Sequence, residues 1–336
     1  MQYSFFDDKK RLEKLTQMGD ALEQLNAIVD WRIFKPILDE AIPRIDNGKG
    51  GRPPYGNLMM FKVLIIKRMY NLSYEQTEYQ INDRISFMRF LRIDLSDRVP
   101  DANTIWLYEE ALSNNDAGKA IFNQFYKEIE KRGYVTKAGS IVDASFAEAP
   151  RRKNTKEQRE TLKSGKIPDE WNDPEHPQKL MQRDTDATWT VKGNKAHFGY
   201  KDNVKVDLDS KLIIDYNVTT ASTNDVKGAD GLFDTNDKIA YGDAAYPSLA
   251  LPEGVVNMIC EKPNKNHPLT EEQKQNNHIK AKKRCRVEHI FGGMNKMFGG
   301  ITLRCKNQLR ATFNVSMLNL LYNIRRTVTL TRLQKA

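Results

Sequence analysis

Three acidic residues stand where an acid needs a reason. In Ile141-Val142-Asp143-Ala144-Ser145-Phe146, two β-branched residues run into an aspartate and small residues follow. Gly139 and the Arg132-Gly133 pair punctuate the approach, so the stretch reads as a short buried strand. A carboxylate in a dry place is costly unless it is paired, hydrogen-bonded or bound to a metal. Lys238-Ile239-Ala240-Tyr241-Gly242-Asp243-Ala244-Ala245-Tyr246 repeats the pattern, a short apolar run ending in Asp before two alanines. The third acid, Glu288, lies in Arg284-Cys285-Arg286-Val287-Glu288-His289-Ile290-Phe291, which reads as helix. Two strand-borne aspartates and one helix-borne glutamate would make a cage for two Mg²⁺ ions. Breaking or transferring a nucleic-acid phosphodiester needs an activated oxygen nucleophile and charge relief on the leaving oxygen, and two divalent ions supply both. In such a cage Asp143 bridges the ions, Asp243 holds one and Glu288 the other.

The elements that carry these acids must aim them together. At about 100° per residue, Arg284, Glu288 and Asn295 fall within roughly 40° of one another on a continuous helix, with Val287, Ile290 and Met294 on an adjacent apolar face. The polar stripe therefore runs along the edge of the core. Gly292-Gly293 weakens that helix and predicts its end before Asn295. Arg284, one turn before Glu288, is placed to orient that carboxylate or to grip a phosphate.

The partner follows from charge. The 336 residues carry 53 Lys and Arg against 44 Asp and Glu, a formal charge of +9, which favours a polyanion. A membrane is the weaker choice, because the most apolar stretch, 58–66, is short and interrupted by Lys62. No basic, apolar leader opens the sequence. Cys260, Cys285 and Cys305 contain no CxxC and fit a reducing cytosol, with nucleoid association expected when DNA is bound. Cys285 and His289 lack the paired spacing of a structural zinc site.

Taken in order, the chain predicts an all-helical region over 1–132. Leu12, Leu15, Leu22, Leu25 and Ile28 recur at helical spacing over 9–28, and Trp31, Phe34, Ile37 and Leu38 follow. Asn47-Gly48-Lys49-Gly50-Gly51-Arg52-Pro53-Pro54 breaks regular structure, either as an arm that touches DNA or as a plain linker. Residues 58–70 predict a core helix, Asn71-Leu72 a turn, and Ser73 with Gln76 a capping box. Asp101 can cap a helix through Leu112, and Ile121, Phe122, Phe125, Tyr126 and Ile129 mark another. Short helices joined by tight turns suit a helix-turn-helix-like region. Residues 133–336 predict a mixed sheet flanked by helices. After the Asp143 strand comes a basic polar insertion, about 149–193, with Trp171 and Trp189 as its large anchors. A hairpin over 197–218, a short helix over 225–233, the Asp243 strand and a strand at 255–260 follow. The basic stretch 262–283 reads as loop, and 310–327 as a closing helix. This order is that of a ribonuclease H-like fold, so the chain is α+β. Such mixed sheets bind ligands at strand ends.

The same residues carry a family resemblance over nearly the whole chain. Gly51-Arg52-Pro53-Pro54-Tyr55, Tyr70-Asn71-Leu72-Ser73, Pro100-Asp101-Ala102-Asn103-Thr104, Val142-Asp143-Ala144-Ser145 and His197-Phe198-Gly199-Tyr200-Lys201 contribute. So do Tyr241-Gly242-Asp243-Ala244-Ala245-Tyr246, Arg286-Val287-Glu288-His289-Ile290-Phe291-Gly292 and Asn319-Leu320-Leu321-Tyr322-Asn323-Ile324-Arg325-Arg326. Together they resemble bacterial insertion-sequence transposases of the DDE type, in particular the insertion-sequence-five group. The resemblance implies a ribonuclease H-like catalytic domain that uses Mg²⁺, with Mn²⁺ able to substitute. It implies cutting and joining of the element's terminal inverted repeats into target DNA, by a homodimer or higher oligomer on double-stranded DNA. The triad carries over to Asp143, Asp243 and Glu288. Around the glutamate, Arg284 matches the family signature, whereas its Tyr position is Ala281 and its Lys position Asn295, with Lys296 next door. The basic residues expected at DNA are Arg52, Arg151, Arg152, Lys153, Lys201, Lys282, Lys283, Arg286 and Lys296. Two other functions share these features. A non-catalytic DNA-binding descendant would show a broken triad, and a plain nuclease of the same fold would cut without joining strands.

Overall fold

A computed structural model describes residues 5–43, 53–151, 154–263 and 268–335. The chain forms two compact units, Met1–Tyr134 with Ser316–Ala336, and Val135–Val315.

The first unit is helical: α1 Phe5–Gln17, α2 Ala21–Ile28, α3 Lys35–Ala41, α4 Asn57–Met69, α5 Tyr74–Asp83, α6 Ile85–Leu91, α7 Ala102–Asn114 and α8 Ala117–Lys131. The single helix expected over 9–28 is two helices. Gly19 takes φ +85°, and the Asp20 side chain caps α2 by accepting from the Leu22 N–H. An N-cap at that point starts a new helix. Helix α4 is the core element, with Met60, Phe61, Val63, Leu64, Ile65 and Ile66 buried. Lys62 is buried among them. Its ammonium donates to Asn26 Oδ1 (3.1 Å) and the Phe90 carbonyl (3.0 Å) and lies over the rings of Trp31 and Phe90. Asn71 makes the expected turn at φ +50°, and Ser73 with Gln76 forms both bonds of the capping box that starts α5. Asp101 caps α7 through the Thr104 N–H. Arg52 and most of the 47–54 loop lie outside the described residues.

The second unit is built on a six-stranded mixed sheet. Its elements in order are β1 Ser140–Glu148, α9 Lys156–Lys163, α10 Gln178–Met181, β2 Thr188–Lys192, β3 Lys195–Asp207 and β4 Ile213–Thr220. Then come α11 Asp225–Gly228, β5 Ile239–Gly242, β6 Val256–Ile259, α12 Glu271–Arg284, α13 Glu288–Phe298 and α14 Gln308–Lys335. Strand β1 is central. The hairpin β3–β4 continues antiparallel on one side, and β5 then β6 run parallel on the other. A first strand flanked by its own hairpin and by two parallel strands is the ribonuclease H-like order, so the expected α+β class with a helical N-terminal region holds. The last residues of the polar insertion form β2, which pairs with the outer edge of β3. Trp171 is buried there with the Arg183 guanidinium over its ring. Trp189, on the edge strand, stays 43% exposed and so is not an anchor in the same sense.

Several further expectations are corrected. The stretch 262–283 is not all loop, because residues 271–284 are α12, opened by a Thr270–Gln273 capping box. The helix has no buried residue, so it lacks the apolar stripe by which helices are recognised. The segment expected as one helix around Glu288 is α12, a 3₁₀ turn over Cys285–Val287, and α13. Helix α13 passes through Gly292-Gly293 and ends at Gly299, φ +74°, rather than before Asn295. Finally, 133–336 is not one body: from Ser316 onward the chain belongs with the helical unit.

Candidate active site

Strand order brings the two aspartates together. In the parallel pair β1–β5, Ser140 lies opposite Ala240 and Ile141 opposite Tyr241. The ladder stops there, and the same register carried two residues further sets Asp143 beside Asp243, just past the end of β5. Ile141 and Val142 are fully buried and hold β1 in the sheet centre. The small residues after each acid have a function. The Asp143 Oδ1 accepts the Ala144 N–H (2.8 Å), and the Asp243 Oδ1 accepts the Ala245 N–H (2.8 Å). Each carboxylate is therefore aimed by its own following backbone.

Helix α12 delivers the third side. Asn277 exchanges two hydrogen bonds with the Glu261 backbone, and Lys280 donates to the Ile259 carbonyl (3.0 Å). These polar contacts dock α12 beside the end of β6, and its last residue, Arg284, reaches the acids. The Arg284 guanidinium donates to Asp143 Oδ2 at 3.3 Å and to Glu288 Oε1 at 2.9 Å. The 3₁₀ turn does not separate Arg284 from Glu288. Val287, Ile290 and Met294 are buried as their spacing predicted, while the Glu288 side chain is 61% exposed.

Burial pushes the Asp143 carboxyl up to about 6, and the neighbouring Asp243 charge adds to the rise. The Ala144 N–H opposes it, as do the charges of Arg284 and Lys192. A carboxylate beside another in a poorly hydrated place is a natural seat for a cation, which restores the ionised form. The aspartate pair therefore fits a divalent ion. Glu288 is engaged by Arg284, and among the described residues no three acidic, His or Cys side chains cluster tightly enough to hold a metal.

The basic residues expected at DNA are placed as follows. Lys282 and Lys283 are exposed in the last turn of α12, and Lys296 is exposed on α13. Arg151 is exposed but paired with Glu148 (2.5 Å), over the Trp189 ring. Arg286 donates to the Leu208 carbonyl and to Asp209 in the β3–β4 turn. Lys201 is corrected as a DNA contact: it is buried, and its ammonium is taken by Asp225 (2.6 Å) and the Thr223 carbonyl (2.6 Å). Arg152 and Lys153 lie outside the described residues.

Three neighbours of the site carried no sequence signal as such. Lys192 bears on Asp143 only because β2 joins the sheet. The Cys260 thiol, pushed up by burial, feels the charges of Arg284, Lys280 and Asp243. The third is Tyr246, whose hydroxyl is buried without a hydrogen-bond partner among the described residues.

Residues 136–324, more than half of the chain, match the family model described as Transposase DDE domain, and residues 10–111 match one described as Transposase domain. No solved structure matches the chain. Members of the DDE family cut and transfer DNA strands with divalent metal ions. The chain belongs to the DDE transposase family and is a DNA-cleaving, strand-transferring enzyme.

Proposed function

We propose that this transposase, of the insertion-sequence-five group, binds the terminal inverted repeats of its insertion sequence. We further propose that it cleaves and joins strands at a site formed by Asp143, Asp243 and Glu288. The observation that carries the reading is the parallel β1–β5 register, which leads to Asp143 within β1 and Asp243 just past the end of β5, with Arg284 joining Asp143 to Glu288. Asp143 and Asp243 would hold Mg²⁺, with Glu288 completing the set. The ions, when bound, would activate the attacking oxygen and stabilise the leaving one.

The chain's own residues do the rest. Arg284 orients both of its carboxylate partners and keeps a positive charge beside them in the absence of a cation. The Asp143 carboxyl, raised to about 6 by burial and the Asp243 charge, is ionised for the most part at neutral pH and would be available to hold a cation. Lys282 and Lys283, two residues and one residue before Arg284, give the approaching backbone phosphates a positive rim. Lys296 and Arg151 extend that rim elsewhere on the unit. In the helical unit, α5 carries Glu75, Glu78 and Asp83 and no basic residue. Its phosphate-facing surface therefore lies on other elements. DNA transposition pairs two ends, so a homodimer or higher oligomer on DNA is the expected working form.

The test uses purified protein and labelled duplex carrying the element's own ends, with Mg²⁺ or EDTA. Asp143→Ala, Asp243→Ala and Glu288→Ala should each abolish end cleavage and leave DNA binding within a few-fold of wild type. Substantial cutting by any one of them removes that residue from the site.

A further inference from the structure

The helical unit contains a cleft that the chemistry above does not use. The ends of α2, α6 and α8 meet the start of α4 around a cavity of about 690 Å³, within the range of ligand clefts, roughly 300–1,000 Å³. Its charged lining is cationic: Arg32, Lys62, Arg92 and Arg132 stand against a single acid, Asp30. Arg92 is exposed, and its side chain makes no ion pair or hydrogen bond among the described residues. Arg132 is fixed by donating to the Ile28 carbonyl (2.9 Å). Arg32 and Asp30 pair with each other at 2.9 Å, an exposed contact of a kind that holds weakly in water.

Lys62 is the buried member of the set, 5% exposed. The other two buried lysines among the described residues each meet a carboxylate, Lys201 with Asp225 at 2.6 Å and Lys205 with Asp237 at 3.0 Å. Lys62 meets none. An ammonium has three N–H groups, and two of these are engaged by neutral acceptors, Asn26 Oδ1 and the Phe90 carbonyl. Neutral acceptors and aromatic faces solvate a cation without cancelling its charge, and a buried charge with no counter-charge is the costly case. Burial and the Arg92 charge lower the group to about 8, so it is still mainly charged at neutral pH. A second donor in the same wall is idle: the Trp31 indole N–H is buried with no acceptor among the described residues. A cationic rim, a buried ammonium without a counter-ion and an idle donor all call for an anion.

We propose that this cleft seats a backbone phosphate of bound DNA, held by Arg92 and Arg132, with Lys62 supplying buried positive charge behind them. DNA is the anion that this enzyme's own substrate brings. The proposal deepens the end-binding reading and rests on one part of it, that the helical unit holds duplex DNA. It supplies the phosphate contact that α5, with its three acids, does not offer.

The experiment compares full-length wild type, Lys62→Met, Arg92→Gln and, as a control for charge alone, Lys127→Gln on the exposed side of α8 outside the cleft. Binding to an end duplex and to an unrelated duplex is followed by fluorescence anisotropy in EDTA across a salt series, and Tm is measured without DNA. Lys62→Met and Arg92→Gln should each weaken binding to both duplexes by about 10-fold and flatten the slope of log affinity against log salt by about 0.9. Lys62→Met should keep or raise the Tm. Wild-type affinity and slope in Arg92→Gln, or in a Lys62→Met that keeps its Tm, would overturn the proposal. A lowered Tm in Lys62→Met leaves the decision to Arg92→Gln, whose side chain has no partner to lose among the described residues. An equal loss in Lys127→Gln would also overturn it, by marking a general effect of net charge. So would inorganic phosphate raising the wild-type Tm while both cleft variants bind DNA as wild type does, which marks a site for a free anion. Equal wild-type affinity for the two duplexes would instead sink the end-binding reading, and the losses in the cleft variants would still decide the phosphate seat.

Discussion

Gly199 shows how tightly single residues are constrained around this site. It sits in β3 at φ +144°, and a Cβ there would lie 2.2 Å from the Ala147 carbonyl oxygen and 2.7 Å from the Ala149 nitrogen. Both atoms are backbone at the end of β1, so no side chain can move aside. Gly199→Ala must shift the β1–β3 pairing itself. We expect a loss of about 3 kcal/mol or more in unfolding free energy, measured by urea unfolding of the full chain. A loss below about 1 kcal/mol would show that the strand ends can part easily. His197 in the same motif is also committed to structure, stacked on Phe146 with ring centroids 4.0 Å apart and bonded to Glu148 (2.9 Å). The motif His197-Phe198-Gly199-Tyr200-Lys201 thus builds the sheet next to the acids, whereas Arg284 and the acids themselves form the proposed site.

At the scale of elements, α4 and α12 solve opposite problems. Helix α12 buries nothing and is held by polar contacts, whereas α4 is nearly all buried yet includes Lys62. Burial lowers the Lys62 ammonium to about 8, with the Arg92 charge contributing. Below pH 8 the group is charged in both folded and unfolded chains, and the burial penalty is fully present. Between pH 8 and about 10.5 the folded protein releases this proton while the unfolded chain keeps it, so stability from this group rises with pH. The full rise is no more than about 3 kcal/mol, because the Trp31 and Phe90 faces favour the ammonium. Urea unfolding of wild type and Lys62→Met at pH 8 and pH 10 tests this. The wild type should gain stability relative to the variant as pH rises, and parallel curves would show that Lys62 titrates as in water.

At the scale of the whole molecule, the two units do not follow the order of the chain. Leu318, Leu320, Leu321, Tyr322, Ile324 and Val328 of α14 are buried, and from Ser316 this helix belongs with the N-terminal helical unit. Tyr134 makes the same connection through its hydroxyl, 2.6 Å from Thr331 Oγ1. A chain ending at Val315 should therefore lose stability in the helical unit, far away in sequence. Hydrogen exchange of the α4 amides reads this directly, and protection should fall by at least about 100-fold, since several large apolar side chains are removed at once. Unchanged protection of α4 would mean that the helical unit is complete without α14.

The acids, their strands, the capping box of α5, the Asp101 cap of α7 and the buried face of α13 were legible in the sequence, because each is written in local spacing or local hydrogen bonding. Asp143 and Asp243 announce themselves because an acid at the end of an apolar run is chemically out of place. Other features were set only by the tertiary structure, since each depends on a partner distant in sequence. Helix α12 was hidden because polar docking leaves no periodic signal. Lys201 looked like a free cation until Asp225 took its charge, and α14 looked like the end of the catalytic unit until its apolar face was found in the helical one. The Tyr246 hydroxyl is the extreme case. Only the folded sheet shows that this one polar atom is buried with no hydrogen-bond partner among the described residues.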